Sequence, residues 1–195
     1  SDPATSGNPN LEPEKAFAQE IGLKYSDDKF SGSLAIFNRD SEDLIDYVRQ
    51  NTSVNIFTAA NIAEVSTQGI EFESAYNFKM NNYNQTITFG YTYLNDDILD
   101  QNKDLSRYSL NTLKHQFISR FTSQLFKNVR QNIIYKHSER TVGTSYNVWD
   151  ASLIVDFNKF TFTLTANNIF NAEYIESGFV QMPPSNVLFG LRYGF

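Results

Sequence analysis

Residues 160–167 read Phe-Thr-Phe-Thr-Leu-Thr-Ala-Asn, and residues 187–195 read Val-Leu-Phe-Gly-Leu-Arg-Tyr-Gly-Phe. In the first stretch Phe160, Phe162, Leu164 and Ala166 fall on one parity and Thr161, Thr163, Thr165 and Asn167 on the other. In the second, Val187, Phe189, Leu191, Tyr193 and Phe195 oppose Asn186, Gly190, Arg192 and Gly194. Successive side chains of an extended backbone point to opposite faces, so a hydropathy period of two predicts strands with one apolar and one polar face.

The same texture extends outward from there. Trp149, Leu153, Val155 and Phe157 oppose Asp150, Ser152 and Asp156, and Val129, Ile133 and Tyr135 oppose Arg130, Asn132 and Lys136. Phe117, Phe121 and Leu125 oppose Gln116, Arg120 and Thr122, with Ile118 as an exception. Ile87, Phe89, Tyr91 and Tyr93 oppose Thr88, Gly90 and Thr92. Ile70, Phe72, Tyr76 and Phe78 oppose Gly69, Glu71, Glu73 and Asn77. Phe30, Leu34 and Ile36 oppose Ser31, Ser33 and Phe37, and the first row, from Lys15 to Tyr25, carries Phe17, Ile21, Leu23 and Tyr25. The reading is all-β, an antiparallel meander of about nine long strands. Its links alternate in length. Residues 27–29, 79–84, 126–128 and 158–159 are short; 40–61, 95–112, 138–147 and 171–185 are long. One end therefore carries tight turns and the other extended loops, where function is expected.

The ring count decides what the apolar face meets. Of 195 residues 17 are Phe and 11 Tyr, against one Trp, yet mean hydropathy is −0.41. No run approaches the roughly 18 apolar residues of a membrane-spanning helix. A soluble sandwich buries a face rich in Val, Ile and Leu; here the apolar face is dominated by Phe and Tyr, and its opposite carries Glu, Arg, Lys, Asp, Asn and Thr. That division suits a transmembrane barrel with aromatic girdles outside and a polar lumen. The net charge of −6 argues against nucleic acid as a partner. The absence of cysteine removes disulfides, thiolate metal sites and thiol nucleophiles. Residues 1–13 have neither a basic start nor an apolar stretch, so no signal peptide is expected in them, and any export signal was removed or lies upstream.

Chemistry-bearing residues read blandly. His115 and His137 have no carboxylate at metal-ligand spacing and read as satisfied surface or lumen histidines. Glu71 and Glu73 could form an acid/base pair but read as a solvated lumen face paired with Lys or Arg of neighbouring strands. Asp96, Asp97, Asp100 and Asp104 could offer oxygen ligands to Ca²⁺, but no Gly is placed for the turn and acidic loops are ordinary at a cell surface. No phosphate-binding Gly loop, nucleophile elbow or zinc-helix motif occurs. An enzyme is not expected, nor a cofactor or metal.

Several stretches, taken together and in order, resemble the C-terminal part of the barrel of a TonB-dependent outer-membrane receptor. They are Asn8–Glu14 (NPNLEPE) leading into Gln19–Leu23, Asn38–Val48 (NRDSEDLIDYV), and Asn61–Glu73 with its Gly69-Ile-Glu-Phe-Glu73. Asn167–Asn171 (NNIFN) with Tyr174 follows, then Pro183-Pro184 ahead of Gly190–Phe195. The row Phe189, Leu191, Tyr193 and terminal Phe195 resembles the C-terminal signature that the outer-membrane assembly machinery reads. The resemblance spans nearly the whole chain and implies the bacterial outer membrane as location, with its lipid as a partner. Residues 1–14 would be a loop leading into the barrel and 15–195 a C-terminal barrel segment; the family's plug domain and TonB box have no counterpart. A transporter barrel of about 22 strands, at roughly 10 residues per strand, needs about 220 residues before loops. Nine strands would also close with a parallel seam, whereas bacterial barrels have even counts. A fragment of a larger wall is therefore expected. The family implies uptake of a scarce small nutrient, such as an iron-siderophore or cobalamin, driven by the TonB complex through the missing plug. Tyr47, Phe57, Tyr108, Tyr146, Phe179 and Gln181 in the long links are the candidates for ligand contact, and packing of the loops is the other role open to each. A structural or adhesive outer-membrane barrel and a soluble lipocalin-like barrel are the rival readings.

Overall fold

Threonine on one parity and Phe, Tyr, Ile and Val on the other favour extended backbone, and the chain adopts it in long runs. The computed structural model describes residues 5–49, 56–61, 64–98, 105–106, 113–141, 143, 145–176 and 180–195. Its strands are β1 (Thr5–Ser6), β2 (Lys15–Ser26), β3 (Phe30–Glu42), β4 (Ile45–Arg49), β5 (Phe57–Asn61), β6 (Val65–Met80), β7 (Tyr83–Ile98), β8 (Leu105–Ser106), β9 (Leu113–Phe126), β10 (Val129–Arg140), β11 (Tyr146–Phe157), β12 (Phe160–Asn167) and β13 (Asn186–Tyr193). Nine of them form one sheet in the order β13-β12-β11-β10-β9-β7-β6-β3-β2, every pair antiparallel. These are the nine expected from alternation. β2 and β13 are its edges.

The short ends are built by Asn and Asp. Asn81 and Asn82 have φ of 50° and 66°, the left-handed pair of a type I′ turn, which matches strand twist. At residues 27–29 the Asp27 carboxylate accepts the backbone N–H of Lys29 (2.8 Å) and Phe30 (2.8 Å) and the Tyr25 hydroxyl (3.0 Å). The opposite end carries the long links, though the one between β10 and β11 shrinks to residues 141–145 because both strands run on further than their hydropathy indicates. β4, β5 and the two-residue β1 and β8 lie in the long links and the N-terminal segment, where they form a second sheet, β1-β5-β4-β8.

Register confirms the two faces. Leu23, Leu34, Phe72, Tyr91 and Phe117 stand side by side across five strands. On the other parity Asn77, Thr86, Thr122 and Asn132 do the same, with hydrogen bonds from Thr86 to Asn77 (2.7 Å) and from Thr122 to Asn132 (2.9 Å). Nearer the C-terminus Asp156 accepts from Thr161 (2.8 Å) and pairs with Arg130 (2.9 Å). The apolar face has no protein cover even on interior strands: Phe89 is 42%, Phe72 40% and Leu153 37% exposed. Among the described residues only Val48, Ala59, Tyr146 and Val148 are buried hydrophobics. A soluble sandwich or lipocalin-like barrel would bury its rings. This sheet presents them outward, which is stable only against hydrocarbon.

Two positions depart from the simple alternation. Gln85 sits on the ring-bearing parity but is 1% exposed; its side-chain N–H groups donate to the carbonyls of Tyr83 (3.2 Å) and Gln124 (3.1 Å), where the β7–β9 ladder ends. Phe37 sits on the polar parity, and its ring lies over Gly69, where a Cβ would come within 2.2 Å of ring carbon Cζ. A side chain at position 69 would force that ring to move.

Candidate functional site

The polar face is most elaborate at the loop end of β10 and β11. Ser138 pairs with Tyr146 and Lys136 with Val148, and Ser138, Val148 and Tyr146 are buried although they face the lumen parity. Tyr174, in the link that follows β12, packs against Tyr146. Asn168, with φ of 49°, starts that link. Its backbone N–H donates to the Asp150 carboxylate (2.7 Å), its amide nitrogen to the carbonyls of Ala172 (2.9 Å) and Pro183 (3.3 Å), and its amide oxygen accepts the Ala172 N–H (2.7 Å). Asn171, at φ 52°, accepts the Ser185 N–H (2.9 Å). The Asn-rich run 167–171 thus works as a clasp that turns the chain back, because Asn tolerates the left-handed region and its amide replaces backbone partners.

What the clasp delivers is a charged aromatic cluster. The Tyr174 ring lies 4.6 Å from that of Tyr146, centroid to centroid. Lys136 Nζ sits 5.8 Å from the Tyr146 ring centre and 5.4 Å from that of Tyr174, and pairs with Glu176. Burial pushes the Tyr174 hydroxyl above its usual range, with Lys136 opposing the shift. Ile175 bridges to Gln181, and the Met182 N–H donates to the Tyr174 carbonyl (2.9 Å), so the link returns as a narrow hairpin.

A second group lies in the small sheet. Tyr47 opposes Ala59, and Arg49 lies over the Phe57 ring at 5.2 Å. Asn61 ties this sheet to the start of the barrel: its amide oxygen accepts the Glu12 N–H (2.9 Å) and its amide nitrogen donates to the carbonyls of Glu12 (2.9 Å) and Asp43 (2.6 Å). Glu14 accepts the Ile45 N–H (2.7 Å).

Of the loop residues singled out from sequence, Tyr47 and Phe57 share the small sheet and are half-buried. Tyr146 is packed beneath Tyr174, and Gln181 is exposed on the hairpin. Tyr108 and Phe179 lie outside the described residues. Lys136 and Glu176 had no signal in the sequence, since a lone Lys on a strand and a lone Glu in a link are indistinguishable from solvated charges.

Both histidines are satisfied, on the ring-bearing face rather than the lumen. His115 Nδ1 is 2.8 Å from the Tyr91 hydroxyl, and His137 Nδ1 is 2.9 Å from the Asn147 amide oxygen. Glu71 and Glu73 stand on the polar face, but among the described residues neither is within ion-pair distance of a Lys or Arg, so the expected pairing is not formed. Asp96 accepts the Thr67 hydroxyl (2.6 Å) on β7; Asp100 and Asp104 lie outside the described residues. No group of metal-ligating side chains converges among the described residues. Phe189 and Tyr193 of the last strand pack against Phe162 (6.4 Å) and Phe160 (5.0 Å), and Tyr193 meets Phe195 edge-on at 5.4 Å.

Comparison with known proteins places this sheet. No curated protein sequence matches the chain. Among solved structures, the FrpB iron transporter from Neisseria meningitidis (F5-1 variant, apoprotein form) superposes with a TM-score of 0.72 at 17% identity, over 97% of this chain and 32% of that one. The ferric-catecholate import receptor Fiu from E. coli K12 gives 0.68 at 21% identity, over 96% and 29%. The siderophore receptor PirA from Acinetobacter baumannii gives 0.69 at 16% identity, over 98% and 32%. The chain thus spans about a third of the length of these structures. The family model described as "TonB dependent receptor-like, beta-barrel" matches residues 2–171. With its lipid-facing rings, polar inner face and long links gathered at one end, the chain belongs to the TonB-dependent receptors, a family of bacterial outer-membrane proteins.

Proposed function

We propose that this chain supplies nine strands to the wall of an outer-membrane importer that captures a scarce metal chelate at its loop end. Residues 1–14 lead into the barrel and 15–195 form the wall segment, while a plug domain outside this chain links the receptor to the TonB complex. The observation that carries the reading is the polar lumen face capped by a link folded inward, whose Glu176 and Tyr174 lie against Lys136 and Tyr146 of the wall. Wall, lumen and inward loop are what a receptor needs to hold a ligand above a plug, and an adhesive barrel has no use for the last. The similar structures are an iron transporter, a ferric-catecholate import receptor and a siderophore receptor, which favours an iron-siderophore over cobalamin. Tyr47, Phe57, Tyr108, Phe179 and Gln181 are the contacts proposed for the closed loops, and Tyr146 becomes one when the link moves. Phe189, Leu191, Tyr193 and Phe195 are the proposed signature for the assembly machinery.

The test is accumulation of radiolabelled ferric siderophores by cells carrying the intact receptor. Uptake is expected to require TonB and to fall in a Tyr47→Ala, Gln181→Ala double variant. Uptake independent of TonB would overturn the importer, and undiminished uptake by the variant would overturn the loop contacts.

A further inference from the structure

Charge on the inward face is divided between its two ends. The six residues of each wall strand nearest its short turn hold Lys24, Lys79, Arg130 and Arg192, all on the inward parity, and a single carboxylate, Asp156. Glu20, Glu71, Glu73 and Asp150 of the same face stand further toward the loops. Asp156 is already engaged, for it pairs with Arg130 (2.9 Å) and accepts the Thr161 hydroxyl (2.8 Å). Among the described residues Lys24, Lys79 and Arg192 make no ion pair. The short-turn end of the lumen is therefore a basic belt short of counter-charge.

Arg130 and Arg192 bracket a recess of about 500 Å³ in this belt. Thr163 and Gly190, paired across β12 and β13, form its floor, with Ile154 and Thr161 beside them. The strand itself does not require glycine there: its φ is not left-handed, and a Cβ would come no nearer than 3.6 Å to Thr163. What the glycine does is leave the recess open. Among the described residues the Arg192 guanidinium reaches only the Thr161 hydroxyl, at 3.4 Å, which leaves most of its N–H donors for a group in the recess. A carboxylate matches that fork with two parallel N–H···O bonds.

We propose that the recess between Arg130 and Arg192 seats a carboxylate from an acidic surface of the plug, the domain of the receptor that lies outside this chain. The inference rests on the reading above that the receptor has a plug. A small anion could enter the recess but could not serve the belt: from Lys24 on β2 to Arg192 on β13 the cations span nine strands, about 38 Å at the usual strand spacing. A folded surface bearing several carboxylates meets them together. The carboxylates nearer the loops repel the same surface, so the division of charge also fixes the depth at which it sits.

The experiment is cross-linking of the intact receptor in detergent with a water-soluble carbodiimide, which condenses an amine with a touching carboxylate into an amide. Peptide mass spectrometry then locates the links. In Arg192→Lys, which keeps the charge and supplies an amine, the link at position 192 is expected to reach an Asp or Glu of the plug, and Lys24 and Lys79 should link to the plug in wild type as well. Adding Gly190→Leu fills the recess and should abolish the link at 192 while those of Lys24 and Lys79 persist, which shows that the variant is folded. A link at 192 only to Asp156, or to a wall strand beyond the edge of β13, would overturn the proposal. So would no link at 192, which leaves the recess to water or free anions, or a link that survives Gly190→Leu. The links form without TonB, iron or uptake, so TonB-independent uptake would sink the importer and leave this result standing, and the reverse holds.

Discussion

Single side chains at the two ends of the strands carry distinct kinds of stabilisation. Asp27 closes the first tight turn by accepting three hydrogen bonds, and those from the backbone of Phe30 and Lys29 do most to hold its carboxyl below the usual carboxylate range. Because the folded carboxyl is the more acidic one, its stabilisation is complete above the unfolded value, near pH 4, and is lost as pH falls through the folded value. Asp27→Ala is therefore expected to lower the receptor's unfolding midpoint at neutral pH, with the gap to wild type closing in acid. A gap unchanged at the lowest pH, measured by urea unfolding in detergent, would show that the charge is not what holds the turn. At Gly69 the constraint is steric. Gly69→Ala places a methyl group inside the Phe37 ring, which must swing away at a cost of about 1 kcal/mol or more. Adding Phe37→Ala should remove most of that penalty; additive losses in the double-mutant cycle would refute the contact.

At the scale of elements, the Asn168 clasp decides whether the link 168–185 folds inward. Asn168→Ala removes three hydrogen bonds and strains a left-handed residue, so it should cost about 1–3 kcal/mol of local stability and raise hydrogen exchange across 169–176. Asn168→Gly keeps the backbone freedom and loses the amide; its exchange should lie close to that of Ala. Wild-type protection in the Gly variant would assign the clasp to backbone conformation alone. The Asn-rich run was visible in the sequence as a motif, but its clasp was not, because Pro183 and Asp150 reach Asn168 only through the fold. The nine long strands were legible because each crosses a two-sided environment that writes a period of two. Their loop-end extensions, such as Val65–Gln68 and Asn95–Ile98, were not, since both faces there meet water and the alternation fades. β4 and β5 were missed for a related reason. Five residues mixing Asp46, Val48 and Arg49 carry too few periods to read, and the two-residue β1 and β8 carry none.

For the whole molecule, the assignment of faces makes a prediction that depends on depth. Phe72 stands in the middle of the apolar band, Gln68 at its outer boundary, and Thr92 beside Glu71 on the polar face. An arginine on the lipid face costs about 2–4 kcal/mol at the membrane midplane and about 0–1 near the interface. Phe72→Arg should therefore destabilise the receptor strongly when refolded into bilayers, Gln68→Arg only slightly, and Thr92→Arg hardly at all, because it gains Glu71 as a neighbour. A midplane penalty near 3 kcal/mol is about a hundredfold in the folding equilibrium, well within reach of refolding titrations. The order of the three values matters more than their size. Should Thr92→Arg cost as much as Phe72→Arg, the rings would have to face inward, and the cluster around Lys136 could not line a lumen.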